Sequence, residues 1–207
     1  MTADLAFHPL TPERLGDLAS LFGQGGDPTW CWCAFYRVRS IDFRTATPAS
    51  NRSVLESAVA TTAGHGRSPG LVAYRDGEAV GWVSLGPRDD FERLQNSRVL
   101  GPVDDRPVWS IVCFVVERRS RGQGVATALL DAAVESARSH GATLVEAYPA
   151  DTDGGRIPAA SAFKGTVSMF ERAGFKVVER RQANSSSAPR PIVQRRIRRR
   201  TSRRSRS

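Results

Sequence analysis

VERRSRGQGVATALL, residues 116–130, places Gly122 and Gly124 between a basic run and an aliphatic stripe. Val125, Leu129 and Leu130 open an apolar face at helical spacing, so the bare backbone falls where a helix begins. The first amides of a helix have no intrahelical acceptor, and its dipole is positive there. Ala126 extends the run of small residues and Arg121 adds a cation. A diphosphate-like anion is the guest such a backbone suits.

The same reading extends outward in both directions. PVWSIVCFVV (107–116) does not alternate, so it reads as a strand buried on both faces. A helix over 125–140 follows, closed by Gly141, and then a strand, ATLVEAY (142–148). A short helix at 165–173 stops at Gly174, ahead of a hairpin made by FKVVERR (175–181) and RPIVQR (190–195). Upstream, Asp76-Gly77 turns the strand 71–75 into the strand 79–85. Thr11-Pro12 and Thr47-Pro48 start two helices, the second running to Gly64. Between them TWCWCAFYRVR (29–39) reads as one short helix with an aromatic face, and 86–106 as a polar loop. Strands interleaved with helices predict an α/β fold with a mixed sheet.

Composition narrows the function classes. No apolar run reaches membrane-span length, and the first residues lack a signal-peptide pattern, so the expected setting is cytoplasmic with no membrane partner. Cys31, Cys33 and Cys113 with three histidines fit neither a disulfide framework nor a zinc site, and no metal is expected. The net charge of +9 is not spread over the chain. Eight arginines lie in 195–207; taking eight from 30 basic residues leaves 22 against 21 acidic ones.

Two phosphate-loop patterns fail on their letters. No Lys follows Gly124 as a Walker loop requires, and the third glycine of a dinucleotide fingerprint is missing. Arg121-Gly122-Gln123-Gly124-Val125-Ala126 instead has the form R-x-x-G-x-A, and FERAGF (170–175) follows downstream. With the hairpin, the long strand and the helix in this order, the chain resembles the GNAT superfamily of acyl-CoA-dependent N-acetyltransferases over about residues 5–195.

That resemblance implies a mixed, mostly antiparallel sheet whose central strand pair splays, flanked by helices. It implies acetyl-CoA as cosubstrate, with the diphosphate on amides of Arg121, Gly122, Gln123, Gly124, Val125 and Ala126. The pantetheine and acetyl carbonyl would lie along Phe114, Val115 and Val116. A primary amine of a small molecule or peptide would attack the thioester directly in a ternary complex, a reaction run by proximity and carbonyl polarisation. Phe170 stands where the superfamily often has a tyrosine acid, and Ser110 where it often has a glutamate base. Tyr148 as acid and Glu146 as base are the replacements on the neighbouring strand, sharing a face at i, i+2. Trp30, Trp32 and Tyr36 are expected to wall the acceptor pocket, and a homodimer is compatible with the superfamily. The departures at Phe170 and Ser110 leave a second reading, an acyl-CoA-binding module with little turnover.

The predicted domain is 1–196. Residues 197–207 read as a disordered Arg/Ser-rich tail that could hold nucleic acid without sequence preference, giving a third reading as a nucleic-acid-associated protein.

Overall fold

The computed structural model describes residues 4–24, 27–152 and 163–198. Among these residues seven strands form one sheet: β1 (Ala6–Pro9), β2 (Gly70–Arg75), β3 (Glu78–Pro87), β4 (Trp109–Val116), β5 (Leu144–Ala147), β6 (Lys176–Arg181) and β7 (Arg190–Arg196). Their spatial order is β1-β2-β3-β4-β5-β7-β6, and every neighbouring pair is antiparallel except β4 and β5. The expected mixed, mostly antiparallel sheet flanked by helices is the observed one.

The helices are α1 (Leu15–Phe22), α2 (Asp27–Cys31), α3 (Ser40–Arg44), α4 (Pro48–Ala63), α5 (Glu92–Gln95), α6 (Val125–Ser139) and α7 (Val167–Arg172). Asp76 and Gly77 take φ of 52° and 83°, the left-handed turn that closes β2 onto β3. Thr47 caps α4 by accepting from the Ser50 amide at 3.1 Å, while Ser50 Oγ accepts from the Thr47 amide at 2.8 Å. Thr166 caps α7 in the same way at the Met169 amide.

Each face of the sheet carries its own apolar layer. Val125, Leu129, Leu130, Ala133, Val134 and Ala137 of α6 bury a continuous stripe on one face, with Phe170 and Phe175 beside them. Gly81 on β3 makes that approach close: a Cβ there would stand 2.9 Å from both Leu129 Cδ1 and Val125 Cγ1. The other face packs Leu18, Leu21 and Phe22 of α1 and Leu55 and Val59 of α4 against Val72, Trp82, Cys113 and Tyr148.

Four local expectations change. The N-terminal segment forms β1, a strand with no buried residue and hence no apolar alternation to announce it. Helix α1 begins at Leu15 after a single 3-10 turn at Pro12–Arg14. The segment 29–39 is not one helix: Trp32 and Cys33 adopt φ of 47° and 53°, which breaks it into α2 and a 3-10 turn at Ala34–Tyr36. The loop 86–106 holds a 3-10 turn (Arg88–Asp90) and α5.

At the C-terminus the ordered chain continues past Arg196. Ile197 is buried in the layer under α6, and its amide donates to the Thr143 carbonyl at 2.9 Å. The rest of the Arg/Ser run, 199–207, and with it the expected disordered, nucleic-acid-binding tail, lies outside the described residues. Ending the chain after Arg196 should therefore cost about 2–5 kcal/mol, the range for losing a buried aliphatic side chain. Ending it after Arg198 should cost almost nothing. Equal denaturation midpoints for the two truncations would contradict this boundary.

Candidate active site

The central strand pair opens where the resemblance required. β4 and β5 pair only through Trp109–Val145, Ser110–Glu146 and Ile111–Ala147. Beyond these, the β5-facing edge of Val112–Val116 has no strand partner among the described residues, and alternate main-chain groups face the opening. A bulge accompanies the parting: Ser84 opposes Cys113 while Leu85 opposes Ile111, leaving Val112 as the extra residue. A bulge bends its strand and raises the local twist, which carries β4 away from β5.

Phe114, Val115 and Val116 end this open edge. A 3-10 turn at Arg118–Ser120 leads to the loop at 121–124, where Gly122 and Gly124 take φ of 76° and 79°. Both values lie in the left-handed region that favours glycine. A Cβ at either would meet nothing within 4 Å, so the backbone here is open to solvent. Gly124 is the N-cap residue of α6 and supplies no side-chain cap. Among the described residues, the next amide after Ser120 bonded to a main-chain acceptor is Ala128, which donates to Gly124 at 3.0 Å. A row of free amides therefore points out at the positive end of α6. The loop is braced from behind: Arg75 Nη1 donates to Gln123 Oε1 at 2.6 Å, Gln123 Nε2 to the Arg119 carbonyl, and Arg121 Nε to the Val116 carbonyl.

Glu146 and Tyr148 come together at the closed end of the opening. The Tyr148 hydroxyl donates to Glu146 Oε1 at 2.6 Å and lies 3.2 Å from Ser110 Oγ. Glu146 is fully buried, and its carboxylate also takes an ion pair from Arg88 and a 2.7 Å hydrogen bond from Gln194 Nε2. Arg88 is itself buried and donates to the Leu100 carbonyl at 3.3 Å. Burial outweighs the neighbouring Arg88 charge and pushes the Tyr148 phenol up to about 12, so it keeps its proton at neutral pH. Sequence reading missed Arg88 and Gln194. A carboxylate inside an apolar strand was the signal that a buried cation had to meet it.

A cavity of about 510 Å³ is lined by Tyr36, Cys113 and Val115 among others; Tyr148 itself does not line it. Tyr36 stacks on Tyr148 with centroids 6.3 Å apart, and Trp30, Phe35 and Phe43 meet edge to face around it. Of the three expected walls, Trp30 and Tyr36 line this space. Trp32 does not; it turns into the core against Phe22 at 5.4 Å. Arg93 fixes the aromatic wall, with its guanidinium 4.0 Å from the Phe35 centroid and a hydrogen bond to the Phe35 carbonyl. All three cysteines line the cavity, with Cys33 and Cys113 sulfurs 2.9 Å apart. Burial pushes Cys31 up to about 12, and the hydrogen bond between Cys113 and Cys33, together with burial, pushes Cys113 well up. Those two remain thiols, which makes them poor nucleophiles.

Phe170 is fully buried, with its ring 5.1 Å from Phe175 and 6.1 Å from Phe114. Its place is in the apolar layer behind β4. Among the described residues, no group of His, Cys, Asp and Glu is arranged to hold a metal, and no helix is long and apolar enough to cross a membrane.

A family model described as the acetyltransferase (GNAT) family matches residues 32–175. The chain belongs to that family and is an acyltransferase. No curated protein sequence matches it. Solved structures agree on the fold. A GNAT-family protein from Bordetella pertussis is 18% identical, with a TM-score of 0.59 over 94% of this chain and 97% of its own. A GNAT-family acetyltransferase from Streptococcus agalactiae is 9% identical, with a TM-score of 0.56 over 94% and 96%. The PaiA N-acetyltransferase from Thermoplasma acidophilum, solved in complex with coenzyme A, is 12% identical, with a TM-score of 0.52 over 94% and 99%.

Proposed function

We propose that the protein transfers an acetyl group from acetyl-CoA to a primary amine by direct attack in a ternary complex. The observation that carries this reading is the continuity of one open edge: the β5-facing side of β4, unpaired beyond Ile111 among the described residues, leads through one 3-10 turn to the free amides at the start of α6. The diphosphate would lie on the amides of 121–126, where the glycines leave room and the dipole favours anions. The pantetheine would continue the sheet along Phe114–Val116, and β4 amides would polarise the thioester carbonyl.

In this reading Tyr148 is the proton donor for the departing thiolate: its hydroxyl turns from Glu146 Oε1 to give up the proton, and the proton that the attacking nitrogen releases restores it. Glu146 was expected to act as base, but its oxygens are occupied by Arg88, Gln194 and Tyr148, and it has no exposed surface. Its role in this reading is positioning: a fixed anion that holds the Tyr148 hydroxyl at the closed end of the opening. The raised thiols of Cys31 and Cys113 favour direct attack over an acyl-cysteine route.

The reading is tested by mixing acetyl-CoA with a panel of amines and following thiol release together with the mass of the N-acetyl product. Tyr148→Phe should lower kcat by about a hundredfold, the low end for losing an acid, because thiolate leaves readily. Acetyl-CoA affinity should not change. Unaltered turnover in that variant would remove Tyr148 from the chemistry.

A further inference from the structure

The aromatic cavity does not end at its own walls. It shares Phe35, Lys164 and Arg190 with a second space of about 550 Å³. Five cations line this outer vestibule (Arg39, Arg93, Arg98, Lys164 and Arg190) and, among the described residues, no Asp or Glu does. Arg39 is partly neutralised by Asp42 at 3.2 Å and Glu92 at 3.6 Å. Arg93 is spent on the Phe35 carbonyl and on Ser40 Oγ. Arg98, Lys164 and Arg190 form no ion pair with any described residue. A concave surface lined by one sign of charge focuses the field within it. This one stands on a body, 1–194, with 22 basic and 21 acidic residues, so it is a local concentration of charge.

These cations do not belong to the donor's diphosphate. The free amides of 121–126 open the helix that covers one face of the sheet. The aromatic cavity is lined by Cys33, Tyr36, Cys113 and Val115, which belong to the apolar layer on the other face.

Resting on the acetyltransferase reading, we propose that the acceptor is an amine with an apolar or aromatic body whose far end carries a carboxylate or phosphate. Its body fills the cavity walled by Trp30, Phe35, Tyr36, Phe43 and Phe163, and its anion sits among Arg98, Lys164 and Arg190. Such a guest also suits the chemistry. The cations disfavour the ammonium form of the entering nitrogen and favour the free amine, the form that attacks. They repel polyamines and aminoglycosides.

Lys164 carries a second sign of the same ligand. It is one of two lysines among 30 basic residues, and its ammonium lies 5.4 Å from the Phe163 centroid. Burial and then the Arg190 charge push it down to about 8. It is a cation held against desolvation and repulsion, both of which a bound anion relieves.

The test compares 4-(2-aminoethyl)benzoate and tyramine phosphate with their uncharged-tail parents, phenethylamine and tyramine, and with spermidine. The anion-bearing amines should exceed their parents by about tenfold or more in kcat/KM, with the difference in KM; the benzoate and phosphate arms show which anion is preferred. Lys164→Met and Arg190→Gln, at positions that line both spaces, should each raise KM for the anion-bearing amines about tenfold more than for phenethylamine and leave acetyl-CoA binding unchanged. In the wild type that KM should climb above about pH 8, where Lys164 loses its proton. Equal or better use of the parents, preference for spermidine, or indifference to both substitutions would overturn the proposal and leave the acetyltransferase reading standing. If no amine turns over, calorimetric titration of the same amines into CoA-saturated protein decides the vestibule by the same comparison. Failure to bind acetyl-CoA at all removes the acetyltransferase reading instead, and titration into the free protein still decides the vestibule.

Discussion

Gly124→Glu is expected to abolish acetyl-CoA binding in calorimetry while the protein remains folded. The carboxylate would project from the N-cap of α6 into the space assigned to the diphosphate, adding bulk and like charge where free amides face out. Gly124 has φ of 79°, so any side chain there also introduces backbone strain, about 1–2 kcal/mol. Gly124→Ala carries the same strain without the charge and separates the two effects. Its Cβ meets nothing within 4 Å, so it should lose a little stability and keep most of its affinity. A folded Gly124→Glu protein that binds acetyl-CoA as the wild type does would place the donor elsewhere.

The second large effect concerns stability. Arg88→Ala removes the cation that meets Glu146, a carboxylate with no exposed surface. Breaking a buried pair from one side leaves an uncompensated charge and typically costs about 3–5 kcal/mol. Gln194 and Tyr148 would still donate to the carboxylate, which should hold the loss near the lower end. Replacing both partners, Arg88→Met with Glu146→Leu, should recover most of that stability, because two apolar side chains leave no orphaned charge. Turnover should not recover with it, since the Tyr148 hydroxyl then lacks its anchor. Urea denaturation of the three proteins, with kcat for the double variant, checks both halves. A double variant as unstable as Arg88→Ala would show that the network is held by more than charge pairing.

The parts of this fold that were legible in the sequence are those where local chemistry and final structure agree. Asp76-Gly77 announces a left-handed turn that both residues adopt, and the stripe from Val125 to Ala137 announces the helix that buries it. Gly122 and Gly124 mark a backbone that needs positive φ and an open face. What escaped depends on partners distant in the chain. β1 exists because Ala6–Pro9 can pair with β2, yet it buries no side chain and so carries no pattern. Trp32 and Cys33 enter a conformation that their side chains disfavour, and nothing in TWCWCAFYRVR signals it.

The site divides in the same way. The loop proposed for the donor is contiguous, and its glycines and helix start could be read from fifteen letters. Arg88 and Glu146 are 58 residues apart, and only the presence of a carboxylate in an apolar strand hinted at their meeting. The vestibule draws its cations from positions 39, 93, 98, 164 and 190, and 28 of the chain's 30 basic residues are arginine. Against that background, an arginine in the sequence gives no sign of which ones converge.

The central claim is that the acyl donor follows the open edge of β4 onto the free amides at the start of α6. A crystal structure of the acetyl-CoA complex tests it most directly. Diphosphate oxygens should lie within about 2.7–3.2 Å of amides in 121–126, the range of an N–H···O hydrogen bond. The thioester should lie between β4 and β5, near the Tyr148 hydroxyl. A diphosphate seated among Arg39, Arg98 and Arg190, or a thioester outside the gap between β4 and β5, would contradict the claim.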